Sequence, residues 1–394
     1  MKRILSLLIA GCMTFALFAS CSNSNDKELT PSSTPSGETT EQNDYFYDIQ
    51  PLSESVTIRY AAILGSPESS IPIMAEKLGL FEKANIDFEC IVYANGIEIA
   101  DDIDNDAWDV SQYGMGGMGE QIVLNSGYFV APLSRSVGTS NAIFVKNDSS
   151  IITAGTGQLT DNPDMYADAE SWRGKTIYLP TGSTLHYLLY TALNKMGLSQ
   201  EDVDLVNKDV DSINTDMKEG SIEIGGLWTP YSQDTESYEN YKAVIDMDSL
   251  NISADTNHVV TKDAWDTKQT AVLKYYEVIA RVIDWLYSSD ENMNEGAGYY
   301  KEWSEENGNM TSAEECLSNL KTVHIYNAAE WYSKITTQIS VNNRNMSEYK
   351  ASQYSQFLFL IDCGKYSEES EQNFFNREKF IDNVIKDVYS KLNK

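Results

Sequence analysis

Between Val56 and Ile224 the chain twice passes through a series of short strand-like segments separated by helical ones, and this double alternation constrains its fold most strongly. Val56-Thr57-Ile58-Arg59-Tyr60 alternates as a half-buried strand does, and Gly65-Ser66-Pro67 breaks it. Ser70 is placed to cap a helix that opens near Ile71-Pro72, where proline is tolerated, and stops at Gly79. Ile86, Phe88, Cys90 and Val92 mark a second strand. Asn95-Gly96 starts another helix, and Trp108-Asp109-Val110-Ser111 reads as a strand running into a glycine loop. The series restarts at Ala142-Ile143-Phe144-Val145. A polar loop over 149–171 precedes a strand at 175–179. The next helix sets Leu185, Leu188, Leu189, Ala192, Leu193 and Met196 on one face and ends at Gly197. Residues 203–206 and 222–224 read as further strands. Beyond about Asp255 the chain reads as mainly helical, most clearly over 275–285 and 380–392. Strands alternating with helices predict α/β units with largely parallel sheets, and 394 residues leave room for two.

The N-terminus reads as a targeting segment. Lys2 and Arg3 precede an apolar stretch over 4–18 that is too short and interrupted to span a membrane. It ends in Phe18-Ala19-Ser20-Cys21, which resembles the cleavage site of bacterial lipoproteins, although Phe18 stands where leucine is usual. Ile9-Ala10-Gly11-Cys12 fits the pattern locally, but cutting there leaves only a stub of apolar sequence. Residues 1–20 are therefore expected to be a signal peptide, and Cys21 the lipidated first residue of the mature chain. From Ser22 to about Asn43 the composition is Ser, Thr, Pro, Glu and Asn, so 21–53 is expected to be an unfolded tether. Lipid and tether together predict an extracytoplasmic protein anchored to the cell membrane.

Charge and motifs exclude several functions. Twenty-nine basic against 59 acidic residues give −30, which rules out a nucleic-acid binder driven by phosphate contacts and predicts a solvated acidic surface. Cys90, Cys316 and Cys363 are widely spaced and read as buried free thiols. Asp102-x-Asp104-x-Asp106 is not a calcium loop, because Ala107 and Tyr113 occupy the positions that need glycine and glutamate. His186, His258 and His324 lack metalloprotease spacing, and neither a GxSxG elbow nor a phosphate-cradling loop is present. No metal or cofactor is expected.

Five motifs together resemble the nitrate/sulfonate/taurine branch of solute-binding proteins, which also includes receptors for thiamine-pyrimidine precursors. They are the helix and exit over 73–83, then Asn95-Gly96 with Ala107-Trp108-Asp109-Val110, then 174–189, then 220–231, and last Phe359-Leu360-Ile361-Asp362-Cys363-Gly364-Lys365. Departures are Glu223 in place of aspartate, the bulkier Ile224-Gly225, the long 149–171 loop and Met115-Gly116-Gly117-Met118-Gly119-Glu120. The resemblance implies a periplasmic-binding-protein-like type II fold, with two α/β lobes joined by a two-strand hinge near 134–138 and 253–257. Lobe 1 would comprise 54–137 and 255–394, and lobe 2 would comprise 138–254. It further implies a monomer that catalyses nothing, binds a small organic anion between its lobes, sulfonates and taurine-like compounds first, and hands it to an ABC permease. A pyrimidine or other aromatic ligand is the alternative, as is an enzyme of the desulfinase or pyrimidine-precursor synthase type on the same scaffold. A sensory receptor would show the same lobes.

The candidate ligand-binding residues lie at turns. Thr181-Gly182-Ser183-Thr184 joins a strand to a helix, so backbone amides and hydroxyls converge where the helix dipole favours an anion. Ser66, Ser69 and Ser70 hold the equivalent place in the first lobe. Gly114 and Met115 form a third group, since glycine lets backbone approach a ligand closely. Trp228, followed by Tyr231, offers an aromatic wall, and His186 and Tyr113 are weaker candidates. The competing readings are that Ser183 or Thr184 caps its own helix, that Trp228 is core, and that His186 is a structural hydrogen-bonder.

Overall fold

The computed structural model describes residues 45–46, 48–233, 239–252, 254–376 and 378–393. The expected signal peptide, Cys21, most of the expected tether and Ser253 lie outside the described residues. Among those described, no helix is long and apolar enough to cross a membrane.

The strands are β1 (Val56–Ile63), β2 (Ile86–Tyr93), β3 (Val110–Tyr113), β4 (Gly127–Pro132), β5 (Ser134–Ser136), β6 (Asn141–Lys146) and β7 (Thr176–Leu179). There follow β8 (Asp204–Asn207), β9 (Ile224–Trp228), β10 (Tyr241–Asp246), β11 (Asn257–Thr261), β12 (Val323–Ile325) and a hairpin of β13 (Gln338–Val341) and β14 (Arg344–Ser347). One sheet has the order β2-β1-β3-β11-β4, with β1 parallel to β2 and β3, and β11 antiparallel to β3 and β4. The other reads β8-β7-β9-β6-β10, with β7 parallel to β8 and β9, and β6 antiparallel to β9 and β10. The two orders are the same. In each, the antiparallel strand is the one the chain enters on arriving from the other sheet, which is the type II arrangement of two α/β lobes.

Local chemistry accounts for the strands the sequence marks least clearly. Gly225 sits in β9 because a Cβ there would lie 2.8 Å from Ile213 Cγ2 and 2.9 Å from Met217 Sδ. The pair Ile224-Gly225 thus lets the helix Val210–Lys218 rest directly on the strand. In β3 all four residues are buried, and the polar ones are satisfied: Ser111 Oγ donates to Ala61 O at 2.8 Å and Gln112 Nε2 to Ser69 Oγ at 2.8 Å.

Two expectations are corrected. The described residues of 45–53 belong to the folded body, not to a tether. Ile49 is buried, Phe46 packs against Trp285 with ring centroids 6.3 Å apart, and Arg281 pairs with Asp48 at 2.6 Å. Tyr45, Phe46 and Ile49 supply the apolar surface that the Ser/Thr/Pro-rich run lacks. The 149–171 segment is not a plain loop, since it carries the helices Ser150–Ala154 and Ala169–Trp172 and buries Ile151, Met165 and Trp172. The two crossing segments pair with each other. Leu133 N and Ser134 O bond to Thr256 O and N at 2.9 and 3.0 Å, and β12 lies beside β5 along 134–136. The C-terminal region holds β12, the hairpin and long helices including Lys262–Leu286, Asp290–Glu306 and Glu348–Asp362.

Below the first sheet, Asp109 ties three elements together. Its carboxylate accepts from Arg59 N at 2.8 Å, Arg59 Nη2 at 2.9 Å and Lys268 Nζ at 2.8 Å, with only 1% of its side chain exposed. Burial alone would raise its pKa, but the bonds from Arg59 and Lys268 outweigh it and hold the carboxyl below the ordinary range. Asp109→Asn keeps the shape and removes the charge, so it should cost about 2 kcal/mol. Urea unfolding at pH 7 measures this, and a loss near zero would mean the two cations gain nothing from the carboxylate.

Candidate functional site

The chain leaves β1 at Ile63, turns through Gly65 in the left-handed region (φ 75°), and enters the helix Ser70–Lys77. Ser69 Oγ accepts from Ile63 N at 2.9 Å and Gln112 Nε2 at 2.8 Å, while Ser70 Oγ donates to Pro67 O at 2.5 Å. Both serines are fully buried, so their hydroxyls brace the turn from inside. The group that reaches outward is Glu68. Its Oε2 accepts from Ser66 Oγ at 2.8 Å and its Oε1 from Ser134 Oγ at 2.7 Å.

From Glu68 a continuous row of contacts leads to the other lobe. Ser134 and Thr256, one from each crossing segment, hold hydroxyl to hydroxyl at 2.7 Å. A Cβ on Gly114 would lie 3.6 Å from Thr256 Cγ2 and 3.1 Å from Thr184 Oγ1. Gly114 and Thr184 therefore face each other across the lobes with room for little more than a methyl group between them. Met115, by contrast, is buried as the first residue of the helix Met115–Leu124. The glycines after it serve packing: a Cβ on Gly117 would meet Gly96 O at 2.6 Å and the Tyr113 ring at 2.9 Å. Tyr113 is likewise buried, its hydroxyl donated to Gln121 Oε1 at 2.5 Å.

The second lobe's turn is built around His186. Ser183 caps the helix Thr184–Lys195, its Oγ accepting from His186 N at 3.4 Å and donating to Pro180 O at 2.6 Å. Gly182, at φ 75°, donates its amide to His186 Nδ1 at 3.0 Å, and Nε2 lies 2.7 Å from Gln200 Oε1. With Nδ1 accepting, the proton sits on Nε2 and is donated to Gln200. Burial lowers the imidazole pKa and keeps the ring neutral, so His186 positions the turn. Thr181 N is taken by Asn207 Oδ1 at 2.9 Å. Thr184 Oγ1 lies beside Gly114, and the first-turn amides that follow it have no partner within their own helix.

Trp228 closes β9 opposite Asn141 and is half-buried. Two residues later the Pro230 ring lies 3.5 Å from where a Cβ on Gly65 would be, so this strand end also abuts the first lobe. Cys90 is not part of this arrangement. It lines a cavity of about 350 Å³ with Ile73, Glu76, Lys77, Val92 and Trp303, and burial pushes its thiol up to about 12. A thiol so protonated is a poor nucleophile. The three described cysteines are free.

Sequence reasoning passed over Glu68. The signal available was its place one residue before the buried serines of a turn that the neighbouring Ser66 and Pro67 already marked.

Two sheets of identical order joined by a pair of crossing segments define a two-lobed periplasmic-type binding fold. Residues 66–292, more than half the chain, match the family model described as NMT1/THI5 like, and the chain belongs to that family. A Brachyspira hyodysenteriae protein provisionally named an ABC transporter periplasmic binding protein is 26% identical over 321 residues, covering 82% of this chain and 83% of its own. Among solved structures, the aliphatic sulphonate binding protein SsuA of Escherichia coli superposes with a TM-score of 0.58 at 13% identity, covering 82% of this chain and 92% of its own. The nitrate-binding protein NrtA of Synechocystis gives 0.60 at 13% identity, covering 86% and 89%. The chain thus has the fold of the solute-binding component of ABC importers.

Proposed function

We propose that this protein is the extracytoplasmic receptor of an ABC importer, anchored through Cys21, monomeric, with residues 138–254 as its second lobe. Its solute is a small organic anion that also carries an amine, taurine-like aminosulfonates first. The observation that carries this reading is the row Glu68–Ser134–Thr256–Gly114–Thr184, because its two ends have opposite electrostatic character. The Thr184 helix N-terminus favours the anionic group. Glu68 opposes an anion at the first lobe's turn and favours an ammonium there, so a sulfonate alone uses one end and a zwitterion uses both. Ser66 donates to Glu68 and Ser183 precedes Thr184 as its helix cap, and the sulfonate- and nitrate-binding neighbours make an oxyanion head the natural first choice.

A second reading has specific support. A half-buried Trp228 and a carboxylate also suit an aminopyrimidine, stacked on the indole with its amino group on Glu68. Calorimetry with taurine, an alkanesulfonate and an aminopyrimidine separates the two. Taurine should bind more tightly than the alkanesulfonate, and Glu68→Gln should remove roughly tenfold of the taurine affinity while sparing the alkanesulfonate, as loss of one charge-assisted bond implies. Equal losses for both ligands would take Glu68 out of amine recognition. Binding of the pyrimidine alone would replace the first reading with the second.

A further inference from the structure

The lobes meet at a second place, away from the crossing segments. The helix Glu348–Asp362 belongs to the first lobe, where its Tyr349 hydroxyl bonds to Ala131 O at 3.0 Å and Asn257 Oδ1 at 2.8 Å. At its far end Phe359 enters a socket on the second lobe's helix Thr184–Lys195. Its ring centroid lies 5.1 Å from His186, 5.4 Å from Tyr187 and 5.0 Å from Tyr190, and only 2% of the residue is exposed. One turn on, Tyr190 Oη donates to Asp362 Oδ2 at 3.1 Å. Lys365 completes the set: its Nζ donates to Gly116 O of the first lobe at 3.2 Å, and its Cδ lies 3.2 Å from where a Cβ on Gly182 of the second would be.

Apart from the Tyr349–Asn257 bond, which lies within the first lobe, none of these contacts involves the residues by which the chain passes between lobes. Connectivity therefore does not enforce them, and a swing about the crossing segments can break them. All are made between the protein's own groups, with no solute required to complete them. We infer that residues 359–365 form a clasp that holds the two lobes together before solute arrives, with Phe359 as its plug and the Tyr190–Asp362 bond as its catch. A receptor biased in this way needs less of the solute's binding energy to close, because the binding-competent closed form is already populated. It must also be prised open to release its cargo. The clasp is independent of which solute the cleft accepts.

Small-angle X-ray scattering on the full mature chain, refolded to strip bound solute and measured without ligand, tests this. Wild type should scatter as the closed form. Phe359→Ala should move the open-to-closed ratio roughly tenfold toward open, the effect expected from losing a well-packed aromatic plug, and enlarge the radius of gyration. The double variant Tyr190→Phe with Asp362→Asn changes no core packing and should move it in the same direction by about threefold, the equivalent of one hydrogen bond. It decides the matter if Phe359→Ala does not fold. A wild type that already scatters as an open form overturns the inference, and so do folded variants indistinguishable from wild type.

Discussion

Replacing Gly114 with leucine is expected to weaken solute binding by roughly 100-fold or more while leaving the protein folded. Gly114 has φ −83° and ψ −155°, a backbone that any residue adopts, so the substitution strains nothing locally. What a side chain meets there lies across the cleft and at the crossing: Thr184 Oγ1 at 3.1 Å from a Cβ, and Thr256 Cγ2 at 3.6 Å. A leucine extends well beyond its Cβ and must push Thr184, and the lobe that carries it, away. A receptor propped open keeps the contacts of one lobe and forfeits those of the other, which is where the loss in affinity arises. Calorimetry with taurine, or with the solute that copurifies, measures the affinity, and a thermal melt checks the fold. Undiminished affinity would show that closure does not bring Gly114 against Thr184.

The second large effect concerns acid. His258 lies in β11, 3% exposed, with Tyr276 and Trp331 edge-on at 5.3 Å each. Its Nε2 has no hydrogen-bond partner among the described residues, and burial lowers its pKa from 6.5 to about 3. The folded state therefore keeps the imidazole neutral, while the unfolded chain takes up a proton as pH falls below about 6.5. Stability should be flat above that value and decline below it by about 1.4 kcal/mol per pH unit, to a total on the order of 4 kcal/mol near pH 3. Asp109 also loses its contribution in acid, but only from about pH 4 downward, where unfolded aspartates begin to protonate. Between pH 6.5 and 4.5 His186, whose pKa burial also lowers, adds to the slope in the same direction, so the His258 share is read by difference. His258→Phe preserves the ring between Tyr276 and Trp331 and should make the profile clearly shallower in that window, as urea titrations at several pH values will show. A slope as steep as that of wild type would mean that other groups carry the acid sensitivity.

The parts of the fold that were legible in the sequence are those set by neighbours in the chain. The alternation of Val56 to Tyr60, the Asn95 cap that accepts from Ile97 N and Glu98 N, and the stripe from Leu185 to Leu193 each depend on a few adjacent residues. What was missed is set by distant partners. The inward orientation of Ser69 depends on Gln112, and β12 exists because 323–325 finds 134–136. Asn257 was placed at the end of a crossing segment, yet it is buried in β11 between strands from the start of the chain. The candidate site divides the same way. Ser183 and Thr184 stand where a strand-to-helix turn puts them, whereas Glu68 gains its role only through Ser134, 66 positions later. Nor could the sequence show that His186 Nδ1 would occupy the Gly182 amide.

The insertion of β11 between β3 and β4 bears on how the polypeptide matures. All five strands of the second sheet lie within 141–246, so that half can assemble from an uninterrupted stretch. The first sheet has a vacant slot at its centre until Asn257–Thr261 appears, because β3 and β4 touch only through that strand. The order of assembly is thus inverted relative to the order of synthesis: the portion made first is finished last. Contacts of such long sequence separation slow folding, and until they form the early strands present unpaired edges to their surroundings.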